Sequence, residues 1–222
     1  MSKRNLGSKI KLSSYDDMFG VNVAENENVN EENQIKDVAL SELHPFKNHP
    51  FKVIDDEKME EMVESVKQYG ILVPAIVRER AEGGYELISG HRRHHAAVLA
   101  GLEEMPVIVK KCDDDESTVI MVDANIQRED ISVSEKAKAY RMKYDAMKHQ
   151  GASGGISLAE MSESAGESRK TIQRLIYLSN LTEELLELID NKKIGIAQGV
   201  DLAFIPKEEQ DVVFRVMQKT GV

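Results

Sequence analysis

The segment around Gly90 combines residue types that bind phosphate groups. Residues 85–97 read as a strand ending at Ser89, then Gly90, then a helix with Arg92 and Arg93 in its first turn. Free N–H groups at a helix N-terminus attract anions, and glycine lets the backbone approach a ligand closely. Guanidinium groups add planar donors that match phosphate oxygens. The pattern predicts a polyphosphate or phosphodiester site, with a solvated basic helix start as the alternative.

Three histidines in the same helix raise the alternative of a metal site. His91 and His95 are four residues apart on one helical face, and His94 lies beside them. Zinc sites are completed by further Cys, His or carboxylate ligands, and this helix holds no carboxylate. We therefore predict no metal here and place His91 among the phosphate-binding residues.

A second polar segment, residues 123–132, follows a predicted helix. It contains Asn125, Gln127 and Arg128. Such residues commonly serve as turns and helix caps. Together with Arg92 and Arg93 they could instead close over a ligand at the junction between two domains, and we carry that interpretation forward.

Residues 157–179 have the pattern of a helix-turn-helix. Ser157 and Glu160 predict a capping box that starts the first helix, Gly166 marks the turn, and Ser168 can cap the second helix. In that motif the second helix presents its N-terminal outer face to the DNA major groove. The residues expected on that face, which suit contacts to guanine, adenine and phosphate, are Ser168, Arg169, Lys170, Gln173 and Arg174. An ordinary helical hairpin with a basic surface is the alternative.

The elements that must position these residues change in type along the chain. Residues 36–129 predict strands at 36–40, 75–80, 85–89 and 105–111, a hairpin turn at Gly83-Gly84, and amphipathic helices between them. Residues 130–222 predict helices alone, beginning with one capped by Ser132 and Glu135 and followed by a glycine-rich break at 151–155. The fold class is therefore α+β: a small mixed-sheet domain, then an all-helical domain.

Residues 1–35 predict a disordered tail. They are rich in Asn and Glu and poor in large apolar side chains, so they cannot bury enough surface to offset the entropy of ordering. The tail begins with basic residues, including Lys3 and Arg4, and could also serve as a partner-binding peptide.

Composition excludes several classes of protein. No apolar run is long enough to span a membrane, and the N-terminus lacks the apolar core of a secretory signal. Cys112 is the single cysteine, which excludes a disulfide framework and a cysteine-built zinc site. The net charge of −10 excludes a wholly basic nucleic-acid coat but allows a local basic face. We expect a cytoplasmic protein associated with a nucleoid or plasmid.

Three segments in this order resemble the ParB family of partition proteins: HPFKNHPF (44–51), SGHRRHHAA (89–97), and ANIQRED (124–130) followed by the helix-turn-helix. The resemblance covers about residues 36–215. It implies a ParB/sulfiredoxin-like N-terminal domain that binds CTP with Mg²⁺, a dimer that closes as a clamp around DNA, and a palindromic DNA site. It also implies a ParA-type Walker ATPase as partner, contacted through the tail.

Departures from the family pattern qualify the nucleotide prediction. His91 and Ala124 stand where the family has Glu, and His95 stands where it has a third Arg. The family residues that are kept, and that we predict to bind nucleotide together with His91, are Gly90, Arg92, Arg93, Asn125, Gln127 and Arg128. This combination of kept and replaced residues implies weak CTP binding with at most weak hydrolysis. It also resembles the combination in ParB-like proteins of mobile elements.

Several functions compete at this point. A site-specific DNA-binding partition protein that maintains a plasmid or mobile element, with CTP as a switch, is favoured over a CTP-hydrolysing enzyme or a nucleotide-independent transcriptional regulator. A nuclease is disfavoured because no carboxylate cluster accompanies a lysine at metal-site spacing. Sulfiredoxin-like redox chemistry needs a cysteine where Gly90 stands. We expect a monomer in solution and a dimer on DNA.

Overall fold

The computed structural model describes residues 34–128, 130–151 and 154–220. The predicted tail lies outside the described residues except for its last two positions, and Ile35 already belongs to the first strand. Within the described chain, no helix is long and apolar enough to cross a membrane.

The N-terminal half is built on one mixed five-stranded sheet. Its strands lie in the order β1-β5-β3-β4-β2. Strand β1 pairs antiparallel with β5, β5 parallel with β3, β3 antiparallel with β4, and β4 parallel with β2. The strands are Ile35–Ala39, Leu43–Pro45, Ala75–Glu79, Tyr85–Ser89 and Glu104–Val109, numbered β1 to β5. The α+β fold class is confirmed.

Strand β2 is an element that the sequence analysis missed, since it placed no strand between residues 40 and 75. The chain makes a short 3-10 helix at Leu40–Glu42 and then pairs through Leu43 with Tyr85 of β4. Pro45 can close this strand because β2 lies at the edge of the sheet, where proline's missing N–H disrupts no ladder.

Three helices pack around the sheet. Helix α1 spans Glu57–Tyr69, α2 spans His91–Ala100 and α3 spans Asp114–Asn125. Asp56 caps α1 by accepting a hydrogen bond from the Met59 amide. Helix α2 follows β4 directly through Gly90, whose φ of +105° is a left-handed conformation that favours glycine.

In the rest of the described chain, all the regular secondary structure is helical. The helices, α4 to α9 in chain order, are Val133–His149, Gly154–Ala165, Arg169–Leu178, Glu183–Asp190, Ile196–Leu202 and Lys207–Thr220. The predicted capping box of Ser132 and Glu135 begins α4. The prediction that Ser157 caps the next helix is wrong, because α5 begins at Gly154. Packing overrides the low helix propensity of glycine there, since Met161 of α5 is fully buried.

The two halves share a hydrophobic core. One face of the sheet, with Val77, Leu87 and Val107, packs within the N-terminal half. The alternate residues Ile76 and Ile88 point to the opposite face, where they join a cluster that continues through α3 into the helical half. This shared cluster places the end of β4 close to the helices that follow it.

Candidate nucleic-acid interface and phosphate pocket

Helix α6 is the second helix of the helix-turn-helix. Ser168 caps it, since its Oγ accepts a hydrogen bond from the Thr171 amide at 3.1 Å. Gly166 occupies the turn with φ +68°. Ile172 and Leu175 are buried and fix which face of the helix points inward.

The outer N-terminal face of α6 is open to solvent. The five residues that the sequence predicted for DNA are all exposed: Ser168, Arg169, Lys170, Gln173 and Arg174. Among the described residues, none of the three cations on this face has a carboxylate partner within 4.0 Å. Gln173 donates from Nε2 to the Tyr177 hydroxyl at 3.2 Å, which orients its amide along the helix.

Helix α4 holds the turn in place. Lys136 Nζ lies 3.0 Å from Glu167 Oε1, and the two side chains are 30% and 24% exposed. The Ser162 hydroxyl donates to the Glu167 carbonyl oxygen at 2.6 Å. These bonds fix the angle between α5 and α6, and the sequence offered no local signal for either of them.

A pocket of about 210 Å³ lies beside Gly90, at the carboxyl end of β4. Six of the seven residues predicted to bind nucleotide line it: Gly90, His91, Arg92, Arg93, Asn125 and Arg128. His49, Lys52 and Ser89 also line it and were not singled out by the sequence analysis. His49 and Lys52 come from the loop after β2, and an isolated histidine or lysine in a proline-containing loop carries no local signal of a site.

Gln127, the seventh predicted residue, does not line the pocket. Its Nε2 donates instead to the Ser164 carbonyl oxygen of α5 at 3.4 Å. Asn125 does line it, and its Nδ2 donates to the Met121 carbonyl at 2.8 Å, which leaves the amide oxygen for another partner.

The paired arginines are already bound within the protein. Arg92 Nη2 donates to Asp56 Oδ1 at 3.1 Å. Partial desolvation of Asp56 opposes a low pKa, but hydrogen bonds from Arg92 and the Met59 amide outweigh it and lower the pKa of this carboxyl. Arg93 donates to the carbonyl oxygens of Val73 and Pro74, the latter at 2.9 Å. His95 binds Asp55 at 2.7 Å and lies outside the pocket lining.

Two histidines stack at the pocket wall. The rings of His49 and His91 have centroids 3.8 Å apart. Burial lowers the pKa of His91 to about 3, with further lowering from His49 and His94, so its ring is neutral near pH 7. His49 Nδ1 lies 2.7 Å from the Phe51 carbonyl oxygen, which can only accept, so the neutral ring keeps Nε2 as an acceptor. That buried Nε2 has no partner among the described residues.

The charge of the pocket suits phosphate groups. Lys52, Arg92, Arg93 and Arg128 surround it, and none of the described lining residues is Asp or Glu. Magnesium prefers oxygen ligands and is usually held by one or two carboxylates together with substrate phosphates. The pocket therefore fits a polyanion but does not fit a magnesium ion held by the protein.

Family comparisons cover almost the whole chain. Residues 24–126 match the sequence model of the ParB N-terminal domain. Residues 129–222 match that of the ParB HTH domain.

Curated relatives include two kinds of chromosome protein. The chain is 30% identical over 179 residues to a probable chromosome-partitioning protein ParB of Vibrio cholerae, covering 81% of this chain and 59% of that protein. It is 30% identical over 173 residues to the chromosome-partitioning protein Spo0J of Thermus thermophilus, covering 78% and 61%. A nucleoid occlusion protein of Listeria monocytogenes is 29% identical over 81% of this chain and 60% of its own length. The chain thus spans about three fifths of the length of these relatives.

Solved structures share the fold. The C-terminally truncated ParB of Caulobacter crescentus, complexed to the centromeric parS site, aligns with a TM-score of 0.53 at 22% identity over 84% of this chain and 93% of that chain. A Pnob8-like ParB N-domain aligns with a TM-score of 0.54 at 15% identity over 77% and 79%. At these identities the likeness concerns the fold alone.

Proposed function

The chain belongs to the ParB family of partition proteins, and from this premise we propose that it binds a specific DNA site in a DNA-segregation system. The observation that carries the proposal is the exposed basic face at the start of α6, on a protein whose net charge is −10. A basic face on an acidic body concentrates the attraction to DNA in one place.

Each residue of that face has a role in this proposal. Arg169 and Arg174 suit bidentate contacts to guanine, and Gln173 suits adenine once its bond to Tyr177 is exchanged for the base. Ser168 and Lys170 suit phosphates, which fix the register of the helix on the duplex. One helix supplies too few contacts for typical specific affinity, so two chains would bind the halves of a palindrome.

Enrichment of a random duplex library on the protein, followed by anisotropy titration, tests the proposal. We expect an inverted repeat with half-sites about one helical turn apart. Arg174→Ala should lose about 1–3 kcal/mol on that repeat and relax the sequence at one base position per half-site. Lys170→Ala should weaken all duplexes alike and lower the salt slope by about one.

Lys138→Ala is the matched control, since this half-buried lysine of α4 pairs with Glu183 of α7 and belongs to no part of the recognition helix. It should bind as the wild type does. An enriched library without a repeat, or unchanged titrations for every variant of the face, would remove this assignment.

We also propose that the pocket beside Gly90 binds a nucleoside triphosphate, with CTP favoured by the family resemblance. Four cations converge on the pocket, and the unpartnered Nε2 of His49 can accept a hydrogen bond from a sugar hydroxyl or base amino group. Because no described lining residue is a carboxylate, magnesium would be held by the phosphates, and we expect little hydrolysis.

Calorimetry with CTP distinguishes the contribution of Arg128 to binding from that of Arg93. Arg128 lines the pocket and has no carboxylate within 4.0 Å among the described residues, so Arg128→Gln should weaken binding about ten- to a hundredfold with no change in thermal stability. Arg93→Ala should weaken binding too, but it also releases the Val73 and Pro74 carbonyls and should lower the Tm. Omitting magnesium should change the affinity less than Arg128→Gln does. No heat with CTP would leave a nucleotide-independent DNA regulator, the alternative function.

A role on a plasmid or mobile element, and a ParA-type ATPase partner contacted through the tail, remain proposals. The relatives named above include both partition and nucleoid occlusion proteins, so the family alone leaves the cellular role open. Lys3 and Arg4 lie outside the described residues. Pull-down of a purified ParA-type ATPase by the full chain, compared with a K3Q/R4Q variant, tests the contact.

A further inference from the structure

A second cavity lies at the end of the sheet opposite the phosphate pocket. The phosphate pocket lies where β4 ends, and this cavity of about 610 Å³ lies where β3 and β5 end and β1 begins. We name it the sheet-end groove and define it by Gln34, Lys36, Arg78, Lys110, Lys111 and Cys112. The proposed DNA and nucleotide contacts use none of these residues.

Strand pairing explains why the cations converge there. Strands β3 and β5 run parallel with Val77 beside Val109, so the next residues along the two chains, Arg78 and Lys110, lie side by side. Strand β1 runs antiparallel to β5, and its Lys36 reaches across to the Tyr85 hydroxyl at 2.6 Å. Three ends of strands therefore bring four cations to one groove.

The cations differ in how far they are already neutralised. Arg78 forms ion pairs with Glu86 at 2.5 Å and Asp114 at 2.7 Å. Lys110 and Lys111 have no carboxylate within 4.0 Å among the described residues. Glu79 is the one described acidic residue in the groove lining. The groove thus keeps an excess of positive charge on a protein whose net charge is −10.

The chain carries a matching acidic segment immediately before the groove. Residues 16–32 hold six carboxylates, namely Asp16, Asp17, Glu25, Glu27, Glu31 and Glu32, and residues 12–35 hold no lysine or arginine. The segment joins the described chain at Gln34, which itself lines the groove. A tether this short gives an effective concentration on the order of millimolar, so weak contacts are enough for occupancy.

We propose that the sheet-end groove binds the acidic segment 16–32 of its own chain. The segment binds through carboxylate contacts to Lys110 and Lys111, and its occupancy falls as salt rises, because the Debye length shrinks from about 30 Å at 0.01 M to about 3 Å at 1 M. The basic start of the tail, Lys3 and Arg4, is not used in this contact.

Carbodiimide cross-linking of the full chain identifies the occupant. The reagent joins a lysine amine to a carboxylate as an amide, and trypsin leaves residues 12–36 in one peptide because the interval has no internal cleavage site. We expect this peptide joined to the one that contains Lys110 or Lys111 at low salt, and little of it at about 1 M salt. In an equal mixture of unlabelled and ¹⁵N-labelled chains, each product should be uniformly light or uniformly heavy.

The alkylation rate of Cys112 by neutral iodoacetamide measures occupancy independently. Cys112 lines the groove, and burial raises the pKa of its thiol, so thiolate rate constants are taken from full pH–rate profiles. Changing the six carboxylates to amides should raise the low-salt rate constant on the order of threefold, and K110Q/K111Q with the native tail should do the same. K192Q/K193Q, at two exposed lysines after α7, should leave the rate unchanged.

Three results would overturn the proposal. One is equal alkylation rates for the wild type and the tail variant at low salt. The second is mixed light–heavy products, which would place the tail of a second copy in the groove. The third is slower alkylation of Cys112 in the presence of inorganic phosphate or duplex DNA, together with no cross-link to residues 12–36. That result would make the groove a general anion site.

Discussion

His91 lies in a largely buried environment that disfavours its charged form. It stacks against His49, its Nε2 faces the Phe46 amide at 3.5 Å, and burial lowers its pKa from 6.5 to about 3. Because it stays neutral near pH 7, it adds no positive charge to the phosphate pocket. This is the chemical consequence of a histidine in place of the family's glutamate.

The lowered pKa of His91 makes stability depend on pH. Between about pH 6.5 and pH 3 the unfolded chain binds a proton at this position and the folded chain does not. The free energy of unfolding therefore falls as the pH drops below 6.5, by about 2 kcal/mol at pH 5 from this group alone. Urea unfolding at pH 7.5 and pH 5 measures the loss.

His91→Gln should remove about 2 kcal/mol of that acid-dependent loss. The remaining loss comes from other groups, including His49 and His94, whose pKa values burial also lowers. Equal pH dependence of His91→Gln and the wild type would show that His91 titrates normally.

At the scale of elements, the junction of β4 and α2 depends on Gly90. A Cβ at this position would lie 2.9 Å from the Ala75 Cβ and 3.2 Å from Arg93 Nη2, on a backbone with φ +105°. Gly90→Ala should therefore cost about 1–3 kcal/mol in strain and displace the start of α2. Thermal unfolding measures the loss of stability. Calorimetry with CTP measures how much the displaced N-terminus of α2 weakens nucleotide binding.

Gly101 provides the matched comparison for that substitution. It caps α2 with φ +77°, and a Cβ there would have nothing within 4 Å. Gly101→Ala should cost about 1 kcal/mol and leave ligand binding intact. If Gly101→Ala proves as damaging as Gly90→Ala, backbone strain alone accounts for both and the contact with Ala75 is unimportant.

Most elements could be predicted from sequence because their signals are local. Asp56 and Gly70 bound α1, Ser132 with Glu135 begins α4, and Ser168 begins α6. The exceptions depend on distant residues. Strand β2 exists because Leu43 pairs with β4, and no local pattern reports that pairing.

The candidate sites divide in the same way. The exposed face of α6 could be predicted because one capped helix with a buried Ile172 decides which side chains point outward. The lining of the pocket beside Gly90 could be predicted only in part. His49 and Lys52 reach the pocket from the loop after β2, and Gln127 instead donates to Ser164. Long-range packing, which no local sequence pattern reports, determines the position of all three side chains.

At the scale of the molecule, one buried lysine ties the two halves together. Lys143 of α4 has 5% of its side chain exposed, and its Nζ donates to Asp123 of α3 and, at 3.1 Å, to Ser164 of α5. Lys143→Met should lower the free energy of unfolding by about 1–3 kcal/mol, because Asp123 and Ser164 lose their partner. Asp123 is 41% exposed, so water offsets part of the loss.

Lys138→Met on the same helix is the control for that prediction. Its Nζ pairs with Glu183 at 2.6 Å, with the two side chains 37% and 71% exposed, and such surface pairs contribute little. Urea unfolding should place it within about 0.5 kcal/mol of the wild type. If the two substitutions lower the free energy of unfolding equally, the buried contacts of Lys143 contribute no more to stability than a surface ion pair does.

Assembly is decided by whether two recognition helices can reach one DNA site. Each chain presents one exposed α6 face, and a palindrome gives that face two equivalent targets. We expect separate chains to meet on the duplex, so that the free protein is a monomer and two chains bind each palindromic duplex. Sedimentation equilibrium with and without the enriched duplex measures both states, and a duplex carrying a single half-site should bind one chain with a much weaker affinity. A tight dimer without DNA would contradict the prediction, because self-association would then precede recognition of the site.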